Sequence, residues 1–402
     1  MTTATELLTA IKDVGTDPSR GGYSRHGFDA PELELREWFT AEAGSRGLDV
    51  EVDRNGNIWA WWGAPGPDAL VTGSHLDSVP GGGAFDGPLG VVSSLAAVDV
   101  LKAKGFKPDR PLALMVFAEE EGGRFGLACL GSRLLTGATT AETALNLKDR
   151  EGDTFADAVR AAGLDPARVG KDDEALARIG QFVELHVEQG RGLVDLNAPV
   201  GVATSILAHG RWRFRFTGEG NHAGATPMGS RRDPMLPASQ LILSARWAAS
   251  SVDGSRATVG RIEPIPGGTN VIASSVDVWL DARAPNDGRT RAVVERITAA
   301  AKQAARDEGC GLVVTEESYG DAVHFDSSLR DDLVAALGNV PALPTGAGHD
   351  AGILAEHVPT AMLFVRNPTG VSHAPAEHAE AADCEAGVEA LAKVLAKLAT
   401  KA

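Results

Sequence analysis

The run Pro111-Leu-Ala-Leu-Met-Val-Phe-Ala118 most restricts how this chain folds. It is continuously apolar, which marks a strand covered on both faces, and such strands belong to parallel sheets lined by helices. The run ends directly in Glu119, Glu120 and Glu121, so a buried strand delivers three carboxylates to its own end. Shorter apolar runs bounded by turn residues at Asn57–Trp62 and Ala69–Gly73, and a further run at Gln181–Val187, read as strands. Ala30–Arg46 and Gly87–Lys104 carry apolar residues at helical spacing. This alternation predicts an α/β layer with a mostly parallel sheet.

From about His209 the rhythm changes. Arg211-Trp-Arg-Phe-Arg-Phe-Thr217 alternates with period two, as a half-exposed strand does. A helix (Pro234–Ser250), strands near Ala257–Ile262 and Ser275–Ala284, a helix (Thr290–Glu308) and a strand (Gly311–Glu316) follow. Strand, helix, strand, strand, helix, strand is the ferredoxin-like order. The α/β pattern resumes with helix Ser327–Leu337, strand Thr360–Val365 and helix Ala382–Leu398. The expected division is 1–208 and 322–402 for one domain and 209–321 for an inserted α+β domain. A length of 402 residues suits two or three domains of roughly 100–200 residues each.

Charge narrows the partners. Lys plus Arg is 38 and Asp plus Glu is 54, a net charge of −16. That balance argues against nucleic acid or an anionic membrane as the main partner, since both need basic surface. Cys129, Cys310 and Cys384 are odd in number and far apart, which fits a reducing compartment. The N-terminal residues lack a basic head and an apolar core, and no run is long enough to span a membrane. A cytoplasmic location is expected.

Four segments carry ionisable groups at strand ends. Thr72-Gly-Ser-His-Leu-Asp-Ser-Val-Pro-Gly-Gly-Gly-Ala-Phe-Asp-Gly87 places His75 and Asp77 two apart, with Asp86 in the glycine-rich loop beyond. On extended backbone His75 and Asp77 share a face, so an imidazole can bind a metal while the carboxylate orients it. The competing reading is a glycine-rich turn with a solvated acid. Glu119–Glu121 repel one another unless a cation sits among them, which leaves one carboxylate as a base; a water-facing acidic strand end is the alternative. Phe182-Val-Glu-Leu-His-Val-Glu188 puts Glu184, His186 and Glu188 on one strand face. Those groups need partners if buried, or else the strand is an exposed edge. His373 in Val371-Ser-His-Ala-Pro-Ala-Glu377 is a last ligand candidate or a surface histidine. Three imidazoles and two carboxylates can hold two ions if one carboxylate bridges.

Eight ordered segments, from G-S-H-L-D-S-V to S-H-x-P-x-E, resemble the amidase/hydantoinase/carbamoylase branch of the dinuclear metallopeptidase superfamily over nearly the whole chain. The others are G-G-x-x-D-G, E-E-E-G-x-R-F, E-L-H-V-E-Q-G, H-A-G-A-T-P-M, G-G-T-N-V-I and G-A-G-H-D-A. The resemblance implies that His75, Asp86, Glu121, His186 and His373 bind two divalent ions, with Asp86 bridging. It implies Glu120 as general base and Asp77 as the residue orienting His75. The ions expected are Zn²⁺, with Mn²⁺, Co²⁺ or Ni²⁺ also compatible with these donors. His186 in the fourth position, and a gap of only eleven positions between His75 and Asp86, favour this branch over the exopeptidases.

The same resemblance assigns substrate contacts. Gln189 faces the carbamoyl side, His222 reaches into the partner subunit's site to stabilise the oxyanion, and Asn270 and Arg283 hold a carboxylate. Residue chemistry alone leaves His222 as a possible turn histidine and Arg283 as a possible surface ion pair. The implied fold is a mostly parallel catalytic domain with an inserted ferredoxin-like lid that also forms a homodimer. The implied reaction hydrolyses the carbamoyl C–N bond of N-carbamoyl-L-amino acids, a small ureido substrate with a free carboxylate. Allantoate hydrolysis is the runner-up; an aminoacylase or dipeptidase is opposed by His186 and the short gap. A non-catalytic binding protein would have lost a ligand or Glu120. Tyr23, His26 and Thr345 depart from the usual pattern of the branch, and His349 carries no assigned role.

Overall fold

The computed structural model describes residues 2–400. The chain divides into two compact units, Met1–Ser205 with His324–Ala402, and Ile206–Val323. The strands are β1 (Asp49–Val52), β2 (Ile58–Trp62), β3 (Ala69–His75), β4 (Leu112–Phe117), β5 (Ile179–Val187) and β6 (Val200–Ile206). Then come β7 (Ala208–Thr217), β8 (Asn221–His222), β9 (Arg256–Ile265), β10 (Val271–Ile272), β11 (Ser275–Ala284) and β12 (Gly311–Gly320). The last three are β13 (Val323–His324), β14 (Ala342–Thr345) and β15 (Thr360–Val365).

The large sheet has the order β1-β2-β4-β3-β5-β15-β6-β13, with β14 beside β6. Its centre, β4-β3-β5-β15, is parallel. The flanking pairs β1/β2, β2/β4 and β15/β6 are antiparallel. The unit is therefore a mixed α/β structure whose parallel strands lie in the middle. Among them β4 is apolar without a break, and β3, β4 and β15 are buried along their whole length. Helix Pro88–Ala103 is buried nearly all round, and with helix Ala381–Leu398 it joins the core beside the sheet. The short strands β1, β6 and β14 carry no strong alternation and are not marked by the sequence pattern.

Residues 130–176 fold into several short helices. Their apolar side chains form a separate small core with Phe28, Phe125 and Phe155, whose rings meet edge to face at 5.7 and 5.3 Å. No helix among the described residues is long and apolar enough to cross a membrane.

The second unit has a four-stranded antiparallel sheet in the order β12-β7-β11-β9. With helices Met235–Ser250 and Asp287–Asp307 between strands, this is the topology of a split β-α-β-β-α-β motif. The alternation in β7 has a direct cause. Trp212, Phe214 and Phe216 are buried in the core of this unit. Arg213 and Arg215 pair on the other face with Glu317 and Asp277.

Candidate metal centre

The carboxyl ends of β3, β4, β5 and β15 converge, as parallel strands do where α/β proteins place ligands. His75 ends β3, Glu119–Glu121 follow β4, His186 lies in β5, and His373 sits in the loop after β15. Asp86 comes from the glycine-rich loop before helix Pro88–Ala103. Gly87 has φ +83°, and a Cβ there would lie 2.4 Å from the His75 ring, so only glycine lets this loop close over the imidazole.

Two donor groups share Asp86: His75, Asp86 and His186, and Asp86, Glu121 and His373. His75 Nε2 and His186 Nε2 lie 3.6 and 3.1 Å from Asp86 Oδ1. His373 Nε2 lies 3.4 Å from Asp86 Oδ2 and 3.2 Å from Glu121 Oε2. The Nδ1 atoms of His75 and His186 sit 3.0 and 2.9 Å from the carbonyls of Asp77 and Val187. With Nδ1–H donating to a carbonyl, the Nε2 lone pair is turned towards Asp86.

These residues fit a pair of cations. His75 Nε2, His186 Nε2 and Glu121 Oε1 are buried and have no hydrogen-bond partner. Buried polar atoms are costly when unsatisfied, and converging lone pairs and carboxylate oxygens are satisfied by a metal ion. Burial pushes the Asp86 carboxyl up, but His186 and His75 outweigh it and hold Asp86 well below the usual range. Burial pushes Glu120 and Glu121 well above it, with Asp350 adding at Glu120 and Asp86 at Glu121. A cation placed among these acids would offset the cost of their burial.

Glu120 is buried, and its two carboxylate oxygens face different neighbours. Oε2 is 3.5 Å from His75 Nε2, and Oε1 accepts from Cys129 Sγ at 3.5 Å. Its backbone is fixed by Asp77, whose Oδ1 and Oδ2 accept from the N–H groups of Glu120 and Glu121 at 3.1 and 3.0 Å. Asp77 therefore ties the ends of β3 and β4 together. Its carboxylate is 3.5 Å from His75 Nδ1, farther than its own carbonyl at 3.0 Å.

Glu119 turns away from the donors. Its oxygens accept from the N–H groups of Gly27, Arg124 and Phe125, and burial together with Asp77 pushes it up to about 8. The strand end is thus not a water-facing acidic run. Nor is β5 an edge, since it lies between β3 and β15. Of its three ionisable residues only His186 joins the groups that share Asp86, although Glu184 and His349 form a further donor group with it. Glu184 accepts from Ser74 Oγ and the Ala351 N–H, and Glu188 accepts from the N–H groups of Gly192 and Leu193.

Gln189 lies inside the centre. Its Nε2 donates to Asp86 Oδ2 at 2.8 Å and to Ser372 Oγ at 3.1 Å. Sequence reasoning missed Cys129, Ser372 and Glu377, and gave His349 no role. The His349 ring is 4.5 Å from that of His186, and burial with the His186 charge holds it well below the usual histidine range. Its presence in G-A-G-H-D-A, and that of Glu377 in S-H-x-P-x-E, were the available signals.

His222, Asn270 and Arg283 belong to the second unit. His222 is exposed, and its Nδ1 accepts from the N–H groups of Gly224 and Ala225, both at 3.1 Å. In the neutral ring the proton is then on Nε2, which makes that atom a donor. Val271 pairs with His222, and the Asn270 carbonyl accepts from the Ala223 N–H. Arg283 Nε and Nη2 donate to Asp281 at 2.8 and 3.0 Å.

A mixed α/β sheet whose strand ends gather two carboxylate-linked donor triads defines a metal-dependent hydrolase of the metallopeptidase type. Peptidase family M20/M25/M40 matches residues 71–397, and the chain belongs to that family. It is 37% identical to an N-carbamoyl-L-amino acid amidohydrolase of Geobacillus stearothermophilus, covering 98% of this chain and 97% of the relative. It is 32% identical to the allantoate amidohydrolase of Escherichia coli, over 98% and 97%. Its fold matches the crystal structure of a hydantoinase/carbamoylase family amidase from Burkholderia multivorans, with a TM-score of 0.89, 30% identity and coverage of 99% and 97%.

Proposed function

We propose that this chain hydrolyses the carbamoyl C–N bond of N-carbamoyl-L-amino acids, releasing the L-amino acid, CO₂ and ammonia. The observation that carries this reading is the pair of donor triads joined at Asp86 with Glu120 buried beside them. Two divalent cations, one on His75, Asp86 and His186 and the other on Asp86, Glu121 and His373, would polarise the carbamoyl oxygen and acidify water. Zn²⁺ suits these donors, as do Mn²⁺, Co²⁺ and Ni²⁺. Glu120 takes the proton of the attacking water and returns it to the leaving nitrogen. Asp77 holds the Glu120 backbone during that exchange.

In the same reading Gln189 contacts the carbamoyl side of the substrate, while Asn270 and the planar fork of Arg283 hold its free carboxylate. His222 donates from Nε2 to the developing oxyanion in the partner subunit's site. The exposed apolar residues Leu236, Leu243 and Trp247 of helix Met235–Ser250 support a homodimer through the second unit, being 47%, 49% and 60% exposed. The edge strand β9 adds unpaired backbone groups and exposed Ile262 and Ile265. Replacing Leu243 and Trp247 together with glutamate is expected to convert the dimer to monomers in light scattering; an unchanged mass would place the interface elsewhere. Three free thiols suit a cytoplasmic setting.

The substrate class is tested by ammonia release from metal-reconstituted enzyme. N-carbamoyl-L-amino acids are expected to turn over at least about tenfold faster than allantoate, a difference of roughly 1.4 kcal/mol in activation free energy. Faster release from allantoate would move the assignment to the second relative's activity. Preference for N-acyl amino acids or dipeptides would remove the carbamoyl reading altogether.

A further inference from the structure

Glu377 belongs to neither donor triad, yet it touches both loops that supply them. Its Oε1 accepts from the N–H groups of Phe85 and Asp86, each at 2.9 Å. Its Oε2 lies 3.2 Å from the Ser372 hydroxyl, which is also 2.9 Å from Asp86 Oδ2. Ser372 immediately precedes His373. The carboxylate thus spans the loop that carries Asp86 and the loop that carries His373, and Glu377 is only 5% exposed. Space for it is reserved in the glycine-rich loop, because a Cβ on Gly83 would come within 2.2 Å of Glu377 Oε1.

The two triads differ in how firmly their members are held. His75 and His186 are on strands in the middle of the sheet. His373 is on a loop, and its φ of +56° is left-handed, which a non-glycine residue keeps only where its surroundings impose it. The Ser372–Glu377 contact is next to that strained residue. We propose that Glu377 is a positioning residue that fixes the separation of Asp86 from His373 and so determines retention of the second cation, on Asp86, Glu121 and His373. The inference rests on the two-cation reading above.

The experiment is metal stoichiometry by elemental analysis after equilibration of the full chain in Zn²⁺ buffers, with circular dichroism to check folding. Wild type is expected to hold two ions. Glu377→Ala is expected to keep the first and bind the second about 10–100-fold more weakly, the usual effect of losing a group that orients a ligand. Glu377→Gln keeps an oxygen for the two backbone N–H groups and is expected to recover most of the second site. Ser372→Ala, which leaves the backbone contacts intact, guards against misfolding of the alanine variant and is expected to weaken the second site as well. Two ions at wild-type affinity in a folded Glu377→Ala overturn this inference alone, whatever Ser372→Ala does, since Ser372 also touches Asp86 directly. A wild type that holds one ion or none overturns the two-cation reading and the inference with it.

Discussion

Glu120→Gln is expected to lower kcat by about 10²–10⁴-fold, the range that a positioned general base contributes. The amide has the volume and one acceptor oxygen of the carboxylate, so the contact with Cys129 Sγ and the Asp77 bond to the backbone can remain. What it lacks is the ability to take a proton. Glu120 is not in either donor triad, so metal content is expected to stay at the wild-type value. The paired measurement is kcat at saturating metal together with elemental analysis. Full activity with full metal would remove Glu120 from its role; lost activity with lost metal would make it a ligand instead.

Stripping the protein with a chelator is expected to abolish hydrolysis and to leave the sheet intact. The core beneath the centre is built from apolar side chains such as Leu70, Leu114, Val183 and Leu363, none of which is a candidate ligand. Thermal stability should nevertheless fall. Asp86, Glu121, His75 and His186 would be left buried without their cations, and a ligand that binds only the folded state stabilises it by about 2.7 kcal/mol at a hundredfold excess over Kd. Add-back of Zn²⁺, Mn²⁺, Co²⁺ or Ni²⁺ is expected to restore both activity and Tm, with the order among metals read from the titration. Undiminished hydrolysis after verified metal removal would end the metal-dependent assignment.

Much of the centre is legible because several of its candidate ligands sit at the ends of apolar strands. A parallel sheet brings strand ends together whatever the loops do, so His75, His186 and the Glu119–Glu121 run could be placed from local pattern, though not which of the three acids joins the donors. Asp86 and His373 lie in loops, and their pairing depended on resemblance rather than periodicity. The clamp around them was not legible at all. Asp86 and Glu377 are 291 positions apart, and nothing local distinguishes a carboxylate that bonds backbone N–H groups across that distance from a surface acid. Glu119 and Glu121 illustrate the same limit, being alike in sequence context. Glu119 has a left-handed φ of +52° and turns back to Gly27, while Glu121 faces His373. The short helices of 130–176 were missed because each is at most seven residues, too short for a periodic face, and Leu130, Leu134, Ala144, Phe155 and Val159 gather instead in one small core with Phe28 and Phe125.

By itself the sequence determined which segments are buried strands, where the rhythm changes to an antiparallel unit, and which side chains are offered at strand ends. Those properties follow from apolar periodicity and from the steric needs of single residues, both of which act over a few positions. Tertiary structure alone decided which acids join the donor groups around Asp86 and which cap backbone, and that Gln189, Ser372 and Glu377 secure Asp86. Each of those outcomes is a hydrogen bond or charge contact closed across the sheet, and its energy depends on burial that only the assembled fold supplies.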